Sequence, residues 1–79
     1  MSNQKQIEEC IRDGLEGYFS DLNGVEPAAM YDLILKVVER PLLDVVMKHA
    51  DQNQSRAAEW LGINRNTLRR KLVEHKLIK

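Results

Sequence analysis

The chain has 79 residues, 43% of them hydrophobic and 30% charged, with a formal net charge of zero. That is room for one small domain, near the size at which a single core stabilises a fold only marginally. No apolar stretch approaches the roughly 18 residues of a transmembrane helix; Met1–Gln6 lacks the apolar centre of a signal peptide; and a lone Cys10 excludes an intrachain disulfide.

These features imply a cytoplasmic protein. The zero net charge is a cancellation. Residues 1–50 carry five Lys/Arg against nine Asp/Glu, and residues 51–79 carry seven against three. Such asymmetry points to a polyanionic partner for the second half alone.

The first predicted helix covers Ile7 to Leu22. Ile7, Ile11, Leu15, Phe19 and Leu22 recur at steps of four, four, four and three, which is one face of an α-helix. Gly14 and Gly17 weaken it, by up to about 1 kcal/mol each relative to Ala. Asn23-Gly24 ends it, and Val25-Glu26-Pro27 is the connection. Cys10, beside Ile11, reads as a partly buried thiol acting as a small hydrophobe.

A second helix is predicted from near Ala28–Tyr31 to about Ala50. Between Leu33 and Val46, nine of fourteen residues are Leu, Ile or Val. Lys36, Glu39, Arg40 and Asp44 gather on one side, so the helix is expected to be buried around most of its circumference. The first helix alone is too little to cover that surface, and the economical solution is a second copy of the chain. The residues expected in the dimer core are Leu15, Phe19, Leu33, Ile34, Val37, Val38, Leu42 and Val45. Pro41 lacks the N–H that would bond the carbonyl of Val37. Because the apolar pattern continues through Leu42, Val45 and Val46, a single kinked helix is favoured over a break.

Asp51-Gln52-Asn53 is a polar linker, with Asn53 suited to cap the next helix. A third helix, about Gln54–Leu61, turns Ala57, Ala58 and Leu61 inward. Gly62 permits a left-handed turn, Ile63 plugs it, and Asn64 caps a fourth helix from about Arg65 to Glu74. Leu68 and Leu72 anchor that helix and leave Asn66, Thr67, Arg69 and Arg70 outward. Leu77 and Ile78 either fold back or fray. Trp60, on the flank of the third helix, reads as packing. The fold class is therefore all-α, with four helices and no repeat.

The candidate chemistry is DNA recognition by a helix-turn-helix. Asn64 and Arg65 stand at the end of the fourth helix that normally points at base edges, and Arg suits guanine as Asn suits adenine. Successive residues diverge by about 100° around a helix, so Arg69, Arg70 and Lys71 are assigned mainly to phosphates. Asn53, Ser55 and Arg56 sit where the N-terminus of the third helix makes a phosphate seat.

Catalysis is excluded. The acids lie at solvent-face spacing, with no Ser/His/Asp constellation or phosphate-cradling loop, and so small a chain leaves little room for a pocket. Cys10, His49 and His75 lack the close ligand pairing of a metal site. No metal or other cofactor is expected.

Pro41-Leu42-Leu43-Asp44-Val45-Val46-Met47, Asn53-Gln54-Ser55-Arg56-Ala57-Ala58 and Gly62-Ile63-Asn64-Arg65-Asn66-Thr67-Leu68-Arg69-Arg70-Lys71-Leu72 together resemble Fis, the factor for inversion stimulation, a family of bacterial nucleoid-associated proteins. Tyr18-Phe19, Leu22-Asn23-Gly24 and Met30-Tyr31-Asp32-Leu33 extend the likeness to about residues 11–72.

The resemblance implies one domain over residues 1–79: an intertwined homodimer of the first two helices (about 7–50) and a helix-turn-helix (about 53–75). It also implies a transcription regulator of the nucleoid that bends AT-rich, deformable double-stranded DNA with weak sequence preference and meets the transcription machinery. Asn64 and Arg65 match base-contacting positions; Asn53, Ser55, Arg56, Thr67, Arg69 and Arg70 match backbone-contacting ones.

The chain departs from the pattern at three places. Only polar residues precede Ile7, where invertase-activating members carry a hairpin arm. Asp51 replaces a basic linker residue, and Val73-Glu74 replaces a cationic helix end. The alternatives are the similar C-terminal module of NtrC-type activators, working with a regulatory partner, and a protein-binding helical bundle whose basic helix is merely solvated.

Overall fold

The computed structural model describes residues 2–79, with side-chain surroundings from Asn3 onward. Four α-helices follow one another: α1 (Ser2–Leu22), α2 (Met30–His49), α3 (Gln54–Leu61) and α4 (Arg65–Glu74). There is no strand among the described residues. The protein is all-α, as its periodicity predicts. The chain divides into two units, residues 1–30 and Tyr31–Lys79.

In the first unit, α1 starts five residues before the predicted Ile7. Gln4, Lys5 and Gln6 are good helix formers and nothing in that stretch breaks a helix. Tyr18 and Phe19 meet edge to face, with ring centroids 6.1 Å apart. Leu15, Tyr18 and Leu22 are half-buried, whereas Ile7, Ile11 and Phe19 are exposed. Cys10 is exposed too, contrary to the expectation of partial burial, because the apolar positions beside it, Ile7 and Ile11, are themselves exposed. The helix ends with Asn23 and Gly24 both left-handed, and Val25 N–H bonds the carbonyl of Leu22.

In the second unit, α2 runs unbroken through Pro41, so the single-helix reading of this segment is the right one. Its C-terminal half supplies Leu43, Met47 and the following Ala50 to a core completed by Ala57 and Ala58 of α3 and Leu68 and Leu72 of α4. Leu61, Ile63, Leu77 and Ile78 pack around it; the last two fold back rather than fray.

The sequence assigns the cover of most of α2 to a second copy of the chain, and within one chain much of its apolar surface is exposed. Leu35, Val37 and Val45 are 50–57% exposed, Leu33 and Leu42 are exposed, and Ile34 and Val38 are half-buried. The core described above takes only one side of the helix.

No helix of the described residues is long and apolar enough to cross a membrane.

Candidate nucleic-acid interface

The interface is built by two caps and a turn. Asn53 holds an extended conformation, and its side-chain Oδ1 accepts from Arg56 N–H at 3.1 Å, starting α3. At the other end of α3, Gly62 is left-handed (φ 71°). Gly62 N–H bonds the carbonyl of Glu59, and Ile63 N–H bonds that of Ala58. These are the paired bonds of a Schellman turn, with Ile63 providing its apolar plug. Asn64 then caps α4, its Oδ1 accepting from Asn66 N–H at 2.7 Å.

Two helix N-termini are thereby brought to one side of the unit. The guanidinium of Arg65 donates to the hydroxyl of Ser55 at 3.3 Å, linking the first turns of α3 and α4. Ser55, Arg56, Asn64, Arg65, Asn66, Arg69 and Arg70 are exposed, as is Asn53, while Thr67 is half-buried. Leu68 and Leu72 are fully buried, which fixes the rotation of α4. Arg65 and Arg69 lie four residues apart on one strip of the helix and Asn66 and Arg70 on the next. Among the described residues the ion pairs are those of Glu39 with Lys71 and His75. Arg56, Arg65, Arg69 and Arg70 therefore present cationic heads with no intramolecular carboxylate, as phosphate-binding groups must. The Oδ1 of Asn64 is engaged in the cap, which leaves its amide N–H groups as the donors of that side chain.

Lys71 behaves differently from the arginines with which the sequence groups it. Its ammonium lies 2.8 Å from Glu39 Oε2 on α2. The other carboxylate oxygen, Oε1, is 2.8 Å from His75 Nε2, and Arg40 Nε donates to the carbonyl of His75 at 3.3 Å. The Lys71 ammonium, then His75, holds the Glu39 carboxyl below its ordinary value. Sequence reasoning missed this cluster, because partners 32 and 36 residues apart leave no periodic signal. Glu39, Glu74 and His75 also bring three ligand-type atoms within 4.8 Å of one another, but Lys71 already supplies a cation to Glu39.

Two other expectations need correction. Trp60 is 55% exposed rather than packed, since an α3 that turns residues 57, 58 and 61 inward carries residue 60 outward. A hollow of about 520 Å³ lies along α2, lined by Leu33, Lys36, Val37, Arg40, Pro41, Asp44, Glu74 and His75. The chain is thus not too small for a pocket. The lining has no Ser, Cys or Thr to act as a nucleophile.

The sequence pattern of the Fis family of bacterial regulatory proteins matches residues 34–78, which span all but the first turn of α2 and the whole reading unit, α3 and α4 with their turn. The chain belongs to the Fis family. It is 54% identical over 96% of its length to a Fis-like DNA-binding protein of Ralstonia nicotianae, covering 99% of that relative. It is 56% identical to one of Neisseria meningitidis, over 91% of each chain. The DNA-binding protein Fis of Psychromonas ingrahamii is 46% identical over 91% of this chain and 73% of its own. The Fis family is one of DNA-binding helix-turn-helix regulators and not of enzymes.

Proposed function

We propose that the chain binds double-stranded DNA as a homodimer, bends it, and serves as a transcription regulator of the nucleoid. One observation carries the reading. Two capped helix N-termini, linked by the Arg65–Ser55 hydrogen bond, and four exposed arginines free of carboxylate partners lie on the part of the chain matched by the Fis family. Asn64 and Arg65 read base edges. Asn53, Ser55, Arg56, Thr67, Arg69 and Arg70 hold phosphates and set the register.

The homodimer is supported by the broad apolar surface, more than half of the helix circumference, that one chain leaves exposed on α2: Leu33, Leu35, Val37, Leu42 and Val45. A second copy offers the same surface, as a two-fold interface requires. Ile34 and Val38, half-buried in one chain, complete their burial there, as do Leu15 and Phe19. Binding by a paired reader favours deformable, AT-rich duplex, and bending contributes a sequence-dependent cost of about 1–6 kcal/mol.

Gel shifts on a short AT-rich duplex across a salt series test the proposal. Affinity is expected to fall steeply and log-linearly with salt, as phosphate-driven counterion release demands. Affinity that stays flat across the series would refute it and leave a solvated basic helix on a protein-binding bundle.

A further inference from the structure

We propose that Glu39 is a positioning residue of the reading unit, which clamps Lys71 and His75 of the α4 end onto α2 and withholds Lys71 from the DNA-contacting set. The inference rests on the DNA-binding reading above. The geometry carries it. Glu39 uses both carboxylate oxygens, one on the Lys71 ammonium and one on His75 Nε2, each at 2.8 Å. Its neighbour Arg40 adds a bond to the carbonyl of His75. Two consecutive residues of α2 therefore hold the last turn of α4 at three points.

The surroundings strengthen the clamp. The His75 side chain is 9% exposed, Glu39 25% and Lys71 31%, so the pair is less screened than one in open water. For Lys71 to reach a phosphate it must leave a part-buried carboxylate behind, whose Oε2 would lose its ammonium partner and keep only the His75 contact on Oε1. The rotation of α4 agrees. Lys71 lies about 100° beyond Arg70, away from the strip shared by Arg65 and Arg69. Its charge is spent inside the protein, which leaves the reading face to arginines.

The clamp also fixes orientation. Leu68 and Leu72 seat the middle of α4 in the core, and apolar packing alone permits small rotations. The three polar contacts at its C-terminal end remove them, so the direction in which Asn64 and Arg65 point is referred to α2.

The test measures the salt dependence of binding to a short AT-rich duplex for Glu39→Gln, Lys71→Gln and the double variant, with Arg69→Ala as reference. Lys71→Gln is expected to keep the wild-type slope of log affinity against log salt. Glu39→Gln, which frees the ammonium, steepens it by about 0.9 per protomer, or roughly a 3.5-fold greater affinity loss on a fourfold rise in salt. The double variant returns to the wild-type slope. A flattened slope in Lys71→Gln, or an unchanged one in Glu39→Gln, overturns the proposal.

Arg69→Ala must flatten the slope in the same assay. Without that response, and with no salt dependence in the wild type, it is the DNA reading that fails, and urea unfolding then reads the clamp. Each single variant lowers the midpoint, and the second substitution adds no further loss if the clamp exists; additive losses overturn it.

Discussion

Arg65, the first residue of α4, donates a hydrogen bond to the hydroxyl of Ser55 in the first turn of α3. A long, mobile side chain is thus tethered across the mouth of the interface, pointing along the side where both helices begin. Arg65→Ala is expected to cost about 1–3 kcal/mol of binding and to relax preference at one base pair. Arg69→Ala should weaken all sequences alike and flatten the salt slope by about one unit. Competition between specific and random duplexes checks both; equal losses with unchanged specificity would remove Arg65 from base reading.

Gly62 and Lys76 make the same turn with different residues. Lys76 is left-handed (φ 59°). Lys76 and Leu77 close the end of α4 with bonds to the carbonyls of Val73 and Leu72, as Gly62 and Ile63 close α3. A Cβ at Gly62 meets nothing within 4 Å, so the cost of Gly62→Ala is backbone strain alone, about 1–2 kcal/mol. Lys76→Gly relieves the same strain and should raise stability by several tenths of a kcal/mol to about 1 kcal/mol once the entropy of glycine is counted. Urea midpoints moving in opposite directions are the expected result.

Leu68 is fully buried in the core that α4 shares with Leu43 and Met47 of α2 and Ala57 and Ala58 of α3. Leu68→Ala should cost about 2–5 kcal/mol, a large share of the stability of so small a core. Thermal melts are expected to show loss of the helix-turn-helix, with DNA affinity falling in parallel at temperatures where the wild type is folded.

Leu42→Glu addresses the assembly. Leu42 is about half exposed in one chain, so a charge there is tolerated by a folded monomer and opposed by a buried two-fold interface. Sedimentation should show a dimeric wild type and a monomeric, helical variant. A dimeric Leu42→Glu would place the interface elsewhere.

Glu39 predicts a pH dependence. Its carboxyl is held below the ordinary 4.5 by the Lys71 ammonium first and His75 second, with Lys36 and Arg40 the nearby cations of its own helix. A depressed acid contributes stability above its unfolded value and loses it as pH falls through the folded one. Wild type should therefore exceed Glu39→Gln in stability above pH 4.5, with the margin fading below. A margin that is the same at both ends would mean that the charge contributes nothing.

The reading unit is legible to the residue in the sequence. Asn53, Gly62 and Asn64 are local signals, and the bounds they imply for α3 and α4 are those found. The limits of that legibility are physical. Capping and periodicity act over a few residues, whereas Glu39 meets Lys71 only after α2 and α4 have packed. Trp60 and Cys10 mislead because residue type favours burial, while the rotation of α3 set by Ala57, Ala58 and Leu61 turns Trp60 out and the stretch of α1 around Cys10 is exposed all round. The apolar richness of α2 is legible in the sequence, and several of its large apolar side chains are exposed in one chain; periodicity does not say what covers them.

The turns that close α2, α3 and α4 have a mechanical corollary. Asp51 and Gln52 cap α2 with bonds to the carbonyls of Lys48 and Met47, the same bracing found after α3 and α4. Three consecutive helices are joined without slack, so strain applied at Asn64 passes straight to the core rather than being absorbed in a linker. On the proposed DNA reading, such a braced unit would leave compliance to the duplex, so that selection by shape would need no moving part of the protein.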